Sequence, residues 1–399
     1  MQILTSLKGD NIMNPKKKIL IIYEFFYPAY KAGGVVQSLR NMVSLMHEDY
    51  DFYCITGGYD LNEALPLEGI ELNCWNDMFI NGEVKVKVWY DDKMNLSPIK
   101  WRKLILEAAP DCIYINGFMH IAFLLNPLWV IQFTIVKNIK TIIAPRGMLQ
   151  EGAVAVKSQK KKWYLKLIQL VGLAKNIHWH ITSPEEEAGI RKYFKLTPNQ
   201  LSLVANIPQK PVDQIIPIAK EKGSLQLVYA SIITTKKNLL YVLESLGNCT
   251  ANIQLSIYGV IKEEAYWKEC EQAINNLPNH ILANYKGSFK SDQMHTIVTY
   301  HDAMILMSSG ENFSHAIFEC LGAGRPIISS DYTSWNNLTQ KYAGWNLPLN
   351  QPATIAKQLD ALALMDNTEW QHYCVGAHTL ALEYLASQQY VDNYKNLFG

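Results

Sequence analysis

Eleven short apolar runs, rich in β-branched residues and separated by helical stretches, limit what this chain can fold into. Six fall in the first half: KILIIYEF (18–25), DFYCIT (51–56), VKVKVWY (84–90), DCIYING (111–117), KTIIAPRG (140–147) and IHWHITS (177–183). Five follow later: LQLVYAS (225–231), IQLSIYG (253–259), HILANYKG (280–287), AMILMSS (303–309) and RPIISSD (325–331). Apolar strands alternating with helices predict parallel sheets covered on both faces. Between the series lies NIPQKPVDQIIPIAKEKGS (206–224), whose three prolines and glycine-containing end read as an interdomain linker. A length of 399 residues agrees with two domains. The expected fold class is α/β, two Rossmann-like domains facing each other across a cleft. The expected bounds are 1–208 and 209–380, with 381–399 a helix returning to the first domain. In such sheets ligands sit outside the carboxyl ends of the strands.

Charge excludes one class of function. The chain has 37 basic and 36 acidic residues, a net of +1, with none of the basic excess of a nucleic-acid binder. Its seven cysteines are odd in number and form no Cys-x-x-Cys pair, so neither a zinc site nor a disulfide framework is expected, and a reducing cytosol fits best. The N-terminus lacks the order of charge, apolar run and cleavage site that marks a signal peptide, and Met13 is an alternative start. One uncharged run, MHIAFLLNPLWVIQFTIV (119–136), sits at the lower edge of membrane-spanning length, but His120, Asn126, Pro127 and Gln132 weaken it. A buried helix between two strands is the expectation there.

Three stretches can carry chemistry. Gly33 and Gly34 precede an apolar-periodic helix, where backbone N–H groups can approach an anion. A plain loop-to-helix turn fits them equally, and the G-x-G-x-x-G order of a dinucleotide site is absent. Lys236 and Lys237 follow the first strand of the second series, with Asn238 placed to cap a helix; they are either solvated or within reach of a phosphate. In SSGENFSHAIFECLGAGRP (308–326), Glu311 and Glu319 bracket an apolar helix stopped by Gly322 and Gly324. Eight helical positions rise roughly 12 Å, on the order of the span from sugar to ribose in a nucleotide sugar and too far for two carboxylates sharing one scissile bond. An amphipathic helix with one exposed glutamate fits the spacing as well.

The stretch SGENFSHAIFECLGAGRPIISSDYTSWNNL resembles the E-x7-E signature of the family 4, or group 1, retaining glycosyltransferases of GT-B fold. FYPAYKAGGVVQSLRNM, PDCIYINGF, IIAPRGMLQEGAVAVKSQKKK, HITSPEEEAGIRKYF, LVANIPQ, KKNL, IQLSIYG and AGW match in the same order, from about residue 16 to about 350. The resemblance implies an acceptor-binding first domain and a nucleotide-sugar-binding second domain. It implies that Glu311 contacts the donor sugar, Glu319 the ribose, and Lys237 the diphosphate. Gly33, Gly34 and His315, with Asn312, Phe313 and Ser314 beside it, would surround the phosphates. The donor would be a UDP-sugar and the acceptor a glycan or lipid-linked oligosaccharide of a bacterial surface polysaccharide. Transfer would retain the anomeric configuration, with no metal or other cofactor. Two departures stand out: Ile232 occupies the place of an arginine that shares the diphosphate in many relatives, and Arg146 stands in a PRG turn where many have His-Gly. Arg146 is expected to contact substrate, with its loss felt in turnover more than in folding. KSQKKKWYLKLIQLVGLAK (157–175) mixes lysines with Trp163, Tyr164 and an apolar face, a pattern suited to peripheral contact with the inner face of a membrane by a cytoplasmic protein. A non-catalytic binding subunit, a sugar-nucleotide epimerase and a phosphorylase are the alternatives on the same scaffold.

Overall fold

The computed structural model describes residues 15–135, 139–149, 158–311 and 313–399. The first sheet holds β1 (Lys17–Ile22), β2 (Tyr50–Gly57), β3 (Trp75–Ile80), β4 (Val84–Asp91), β5 (Cys112–Asn116), β6 (Lys140–Ala144), β7 (Ile177–Ile181) and β8 (Leu201–Leu203). Their order is β3-β4-β2-β1-β5-β6-β7-β8. The second holds β9 (Ser224–Ala230), β10 (Asn252–Tyr258), β11 (Ile281–Tyr285), β12 (Ala303–Leu306), β13 (Ile327–Ser330) and β14 (Gly344–Leu347), ordered β11-β10-β9-β12-β13-β14. Every pairing is parallel except that of β3 with β4. Central strands are buried on both faces, as Ile19 to Ile22 show, because the chain between parallel strands must cross over a face of the sheet.

All eleven runs contain a strand, and three further strands lie outside them. Of these, β8 and β14 are edge strands of three and four residues, too short to show a period. β3 is joined to β4 through Asn81 and Gly82, both at positive φ (54° and 79°). Asn-Gly supplies the turn that hairpin twist favours, so FINGEV was a readable signal.

The segment near 119–136 corrects its expectation. Ile121–Leu125 forms a π-helical turn that continues as the helix Asn126–Thr134. Leu128 and Val130 are buried, but Trp129 and Phe133 on the outer face are 44% and 53% exposed. Among the described residues no helix is long and apolar enough to cross a membrane.

The chain passes between the two domains twice. Helix Asn367–Ala386 buries Trp370, Cys374 and Ala377 in the second core, whereas helix Tyr390–Phe398 buries Tyr394, Leu397 and Phe398 in the first. The Phe398 ring lies 5.5 Å from that of Tyr50 and 5.6 Å from that of Tyr114. The linker packs against the helix His315–Gly322. A Cβ on Gly322 would stand 3.2 Å from Pro211 Cα, and one on Gly324 (φ +70°) 2.8 Å from Ile215. These glycines therefore end the helix and also admit the linker.

Candidate active site

The loops after β1, β6 and β7 and those after β9, β10 and β12 line one cleft of about 1160 Å³ between the domains. Gly33, Gly34, Arg146, Lys237, Glu311, Phe313, Ser314, His315 and Glu319 all border it. Asn312 lies outside the described residues.

On the second-domain side, β9 ends at Ala230 and the chain turns through Thr235–Lys237 into the helix Leu239–Leu246. Asn238 does not cap this helix with its side chain. It adopts a left-handed conformation (φ 57°), and the Tyr266 hydroxyl accepts from Leu240 N at 2.9 Å instead. Residues after β12 are stitched to this turn: Ser309 N donates to Lys236 O at 2.9 Å and Ser308 Oγ donates to the same carbonyl at 3.2 Å. The Lys237 ammonium is thereby held against the Glu311 carboxylate in a largely buried ion pair. Glu311 precedes the helix, which starts at His315, so Glu319 lies only one turn in. The helical rise estimated from the sequence therefore applies only to the second half of the Glu311–Glu319 segment.

Ser314, at φ 60°, turns the chain into that helix. The Phe313 ring is held by Trp335 and Tyr384, with centroids at 5.7 and 5.5 Å, and Trp335 Nε1 donates to Phe313 O at 2.6 Å. His315, the first helical residue, is 8% exposed, and neither ring nitrogen has a hydrogen-bond partner among the described residues. Burial, with the Arg146 charge as a lesser cause, pushes its pKa down to about 3, so the ring is neutral at physiological pH. Two buried polar atoms at a helix N-terminus are thus left uncompensated.

Glu319 is 3% exposed and accepts a hydrogen bond from Gln37 Nε2 of the first domain. Burial raises its pKa to about 8, opposed by the Gln37 bond and the Arg40 charge. The residue expected to clamp a ribose thus carries an interdomain bond in this structure.

The first-domain side departs further from expectation. Gly33 (φ +88°) lies so close to Ile232 that a Cβ there would stand 2.9 Å from Ile232 Cδ1. Ile232 therefore fills the arginine's place by closing onto the opposite domain. A Cβ on Gly34 would meet His315 Cδ2 at 3.1 Å. Arg146 donates from Nε to Asn116 Oδ1 (2.9 Å), from Nη1 to Asn206 Oδ1 (2.6 Å) and from Nη2 to Tyr114 Oη (2.8 Å). Each guanidinium nitrogen is engaged within the first domain, so Arg146 also has structural partners beside its place on the cleft wall. Sequence reading missed Gln37, Arg40 and Lys290, which also line the cleft. Gln37 and Arg40 share one face of the helix Gly34–Met46 at i, i+3 spacing, and that was the available signal. Thr182, Asn206, Lys236, Glu311 and Phe313 also border a second interdomain cavity of about 1310 Å³.

Residues 213–374 match the family model described as glycosyl transferases group 1. Among solved structures, Anabaena HepE in complex with UDP and glucose aligns with 92% of this chain and 95% of its own at 14% identity, TM-score 0.64. Sucrose-phosphate synthase from Thermosynechococcus elongatus aligns over 96% and 99% at 14% identity, TM-score 0.65. WaaG, a glycosyltransferase involved in lipopolysaccharide biosynthesis, aligns over 96% and 98% at 11% identity, TM-score 0.60. A comparison with curated proteins finds no match. At these identities the structural likenesses establish the fold, and the family match covers the cleft residues of the second domain. The chain thus has the GT-B fold, and residues 213–374 of its second domain match the group 1 glycosyl transferases.

Proposed function

We propose that this chain transfers a sugar from a UDP-sugar to a glycan or lipid-linked oligosaccharide of a bacterial surface polysaccharide, with retention of configuration. The observation that carries this reading is His315. Its two unpartnered nitrogens stand at a helix N-terminus, on the wall that also holds Lys236 and Lys237. A diphosphate would meet helix N–H groups, a neutral imidazole donor and two ammonium groups there. HepE, a structural neighbour, has been captured with UDP-glucose, and WaaG with its part in lipopolysaccharide biosynthesis supports the choice of acceptor class.

The chemistry follows from the pairing already in place. Binding of the diphosphate draws Lys237 from Glu311 and leaves the carboxylate to accept hydroxyls of the sugar. The ribose hydroxyls take the place of Gln37 on Glu319. As the sugar–phosphate bond breaks, charge grows on the departing phosphate oxygen, which Lys237 and the helix N-terminus stabilise without reorganising. That oxygen then takes the proton of the acceptor hydroxyl arriving on the same face. Side-chain cations supply the charge that a metal would otherwise supply, so no metal is required. A lipid-linked acceptor calls for peripheral membrane contact, for which residues 157–175 are the first candidate.

The test is UDP release from a panel of UDP-sugars, with and without acceptor glycans. Release that requires Glu311 supports the reading; no release from any donor overturns it. Ile232 favours a second reading, a non-catalytic binding subunit, and UDP binding without turnover of any donor would select it.

A further inference from the structure

Two neighbouring helices of the first domain expose an apolar surface that neither core uses. On helix Ser158–Val171, Leu165 and Ile168 face inward, while Trp163, Leu167, Leu170 and Val171 point outward at i, i+4, i+7 and i+8. Trp163 is 72% and Leu170 76% exposed. On helix Asn126–Thr134, Trp129 and Phe133 form a second outward stripe, their rings 6.0 Å apart. Gln132 Nε2 donates to Gly172 O at 3.1 Å, which ties the helix of Trp129 and Phe133 to the end of the helix that carries Leu170 and Val171. The two stripes therefore lie on adjoining helices. Apolar surface of this extent marks an interaction site when it is contiguous.

The charges on it select the partner. Neither SQKKKWYLKLIQLV nor NPLWVIQFT contains an Asp or Glu. Lys166 is exposed, its ammonium 5.6 Å from the centroid of the Trp163 ring, and Lys175 is exposed just past the helix. Aromatic and aliphatic side chains rimmed by lysine, with no carboxylate, complement an anionic bilayer surface: the rings enter the headgroup boundary and the lysines meet lipid phosphates. Since no described helix is apolar and long enough to span, such contact lies in the plane of the membrane.

Two hydrogen bonds connect the helix of Trp163 to the cleft. Tyr164 Oη, on the same helix, donates to His120 O at 3.3 Å. In that loop Phe118 N donates to Met148 Sδ at 3.2 Å, and Met148 lines the interdomain cleft. We propose that the outward faces of Asn126–Thr134 and Ser158–Val171 together form a docking platform for an anionic membrane, holding the first-domain loops of the cleft at the lipid surface. The platform enlarges the contact read from 157–175 and rests on that reading for the identity of the partner. It assigns half of the work to Trp129 and Phe133, which lie outside that stretch.

The test is flotation of the full chain with vesicles of phosphatidylcholine and phosphatidylglycerol, at 50 and 500 mM salt, alongside Trp129→Ser/Phe133→Ser and Trp163→Ser/Leu170→Ser. Thermal unfolding checks that each double variant is folded. The wild type is expected to float at low salt and less at high salt, because the lysine contribution is screened. Each double variant is expected to bind roughly tenfold less, since binding scales with buried apolar area. Loss with Trp163→Ser/Leu170→Ser but not with Trp129→Ser/Phe133→Ser would overturn the platform while leaving contact through 157–175 intact. No flotation of the wild type would overturn both. A concentration-dependent dimer dissolved by Trp129→Ser/Phe133→Ser would assign the face to a second copy of the chain and overturn the lipid partner.

Discussion

The two walls of the cleft are built differently. The second-domain wall is built mainly from two strand-loop-helix units, around Lys237 and around Glu311 to Glu319, each continuous in sequence, and the loops after β10 and β11 complete it. The first-domain wall is collected from the loops after β1, β6 and β7 and from the linker at Asn206. Its hub is one guanidinium that ties Tyr114, Asn116 and Asn206 together. In the second wall the charged groups point at one another or at the cleft, free to exchange partners. In the first they are structural members. Substitutions in the second wall should therefore separate activity from stability, and those in the first should move both.

The largest effect is expected at Glu311. On the proposed function, Glu311→Ala would leave Lys237 to the phosphate but remove the carboxylate that meets the sugar. We expect UDP release to fall by roughly three orders of magnitude, in the range of losing a transition-state contact. Thermal stability should fall by less than that loss, because Lys237, 21% exposed, can turn to the solvent of the cleft once its partner is gone. A fall in melting temperature that accounts for the lost activity would erase the contrast between the walls.

Glu319 gives the next effect, read in stability against pH. Its folded pKa of about 8 lies above the ordinary carboxyl value of 4.5. The folded state thus holds a proton that the unfolded chain releases between these values. The stability contributed by the protonated carboxyl is complete below about pH 4.5 and is lost as pH rises through 8. Glu319→Gln keeps the shape without titrating. Its urea-unfolding free energy should decline less than that of the wild type across this window, by on the order of a few kcal/mol. Parallel pH profiles would show that the carboxyl is ionised in the fold.

Arg146→Ala tests the first wall. Asn116 Oδ1, which is buried, loses its donor, whereas Asn206 Oδ1 keeps Ser38 Oγ and Tyr114 Oη keeps His180 Nδ1. A loss of about 2–3 kcal/mol is expected in urea unfolding, together with a fall in UDP release. Arg146→Lys restores the charge but not the planar fork, so it should recover less stability than a charge role alone would give. Unchanged stability in Arg146→Ala would return this residue to the role expected from the sequence.

This asymmetry also sets how much the sequence disclosed. The parallel sheets were readable because buried strands must be continuously apolar, and the second wall because its residues are neighbours in the chain. Edge strands β8 and β14 escaped because three or four residues carry no period. Gln37 escaped because its partner is 282 positions away, and no local pattern records a bond made only when two domains meet. The partners of Arg146 escaped for the same reason. Its neighbours Asn116 and Asn206 are 30 and 60 positions distant, so the sequence showed a cation in a turn and not the network that employs it.

The smallest expected effect bears most directly on the boundary between the walls. The Gln37–Glu319 bond is the point where a first-wall side chain holds a second-wall one. If Glu319 receives a ribose, Gln37 must first let go, and its hydrogen bond opposes nucleotide binding. Gln37→Ala removes that competitor. One neutral hydrogen bond contributes about 0.5–1.5 kcal/mol, so UDP should bind roughly two- to tenfold more tightly by calorimetry. The substitution also withdraws a group that stabilises the ionised carboxylate, so Glu319 should titrate at higher pH than in the wild type. The gain in UDP affinity should then shrink as pH falls through about 8, below which the carboxyl is protonated in both proteins and Gln37 donates to a weaker acceptor. Weaker UDP binding in Gln37→Ala at every pH would mean that Gln37 itself touches the nucleotide. The first wall would then share the ligand instead of guarding the second.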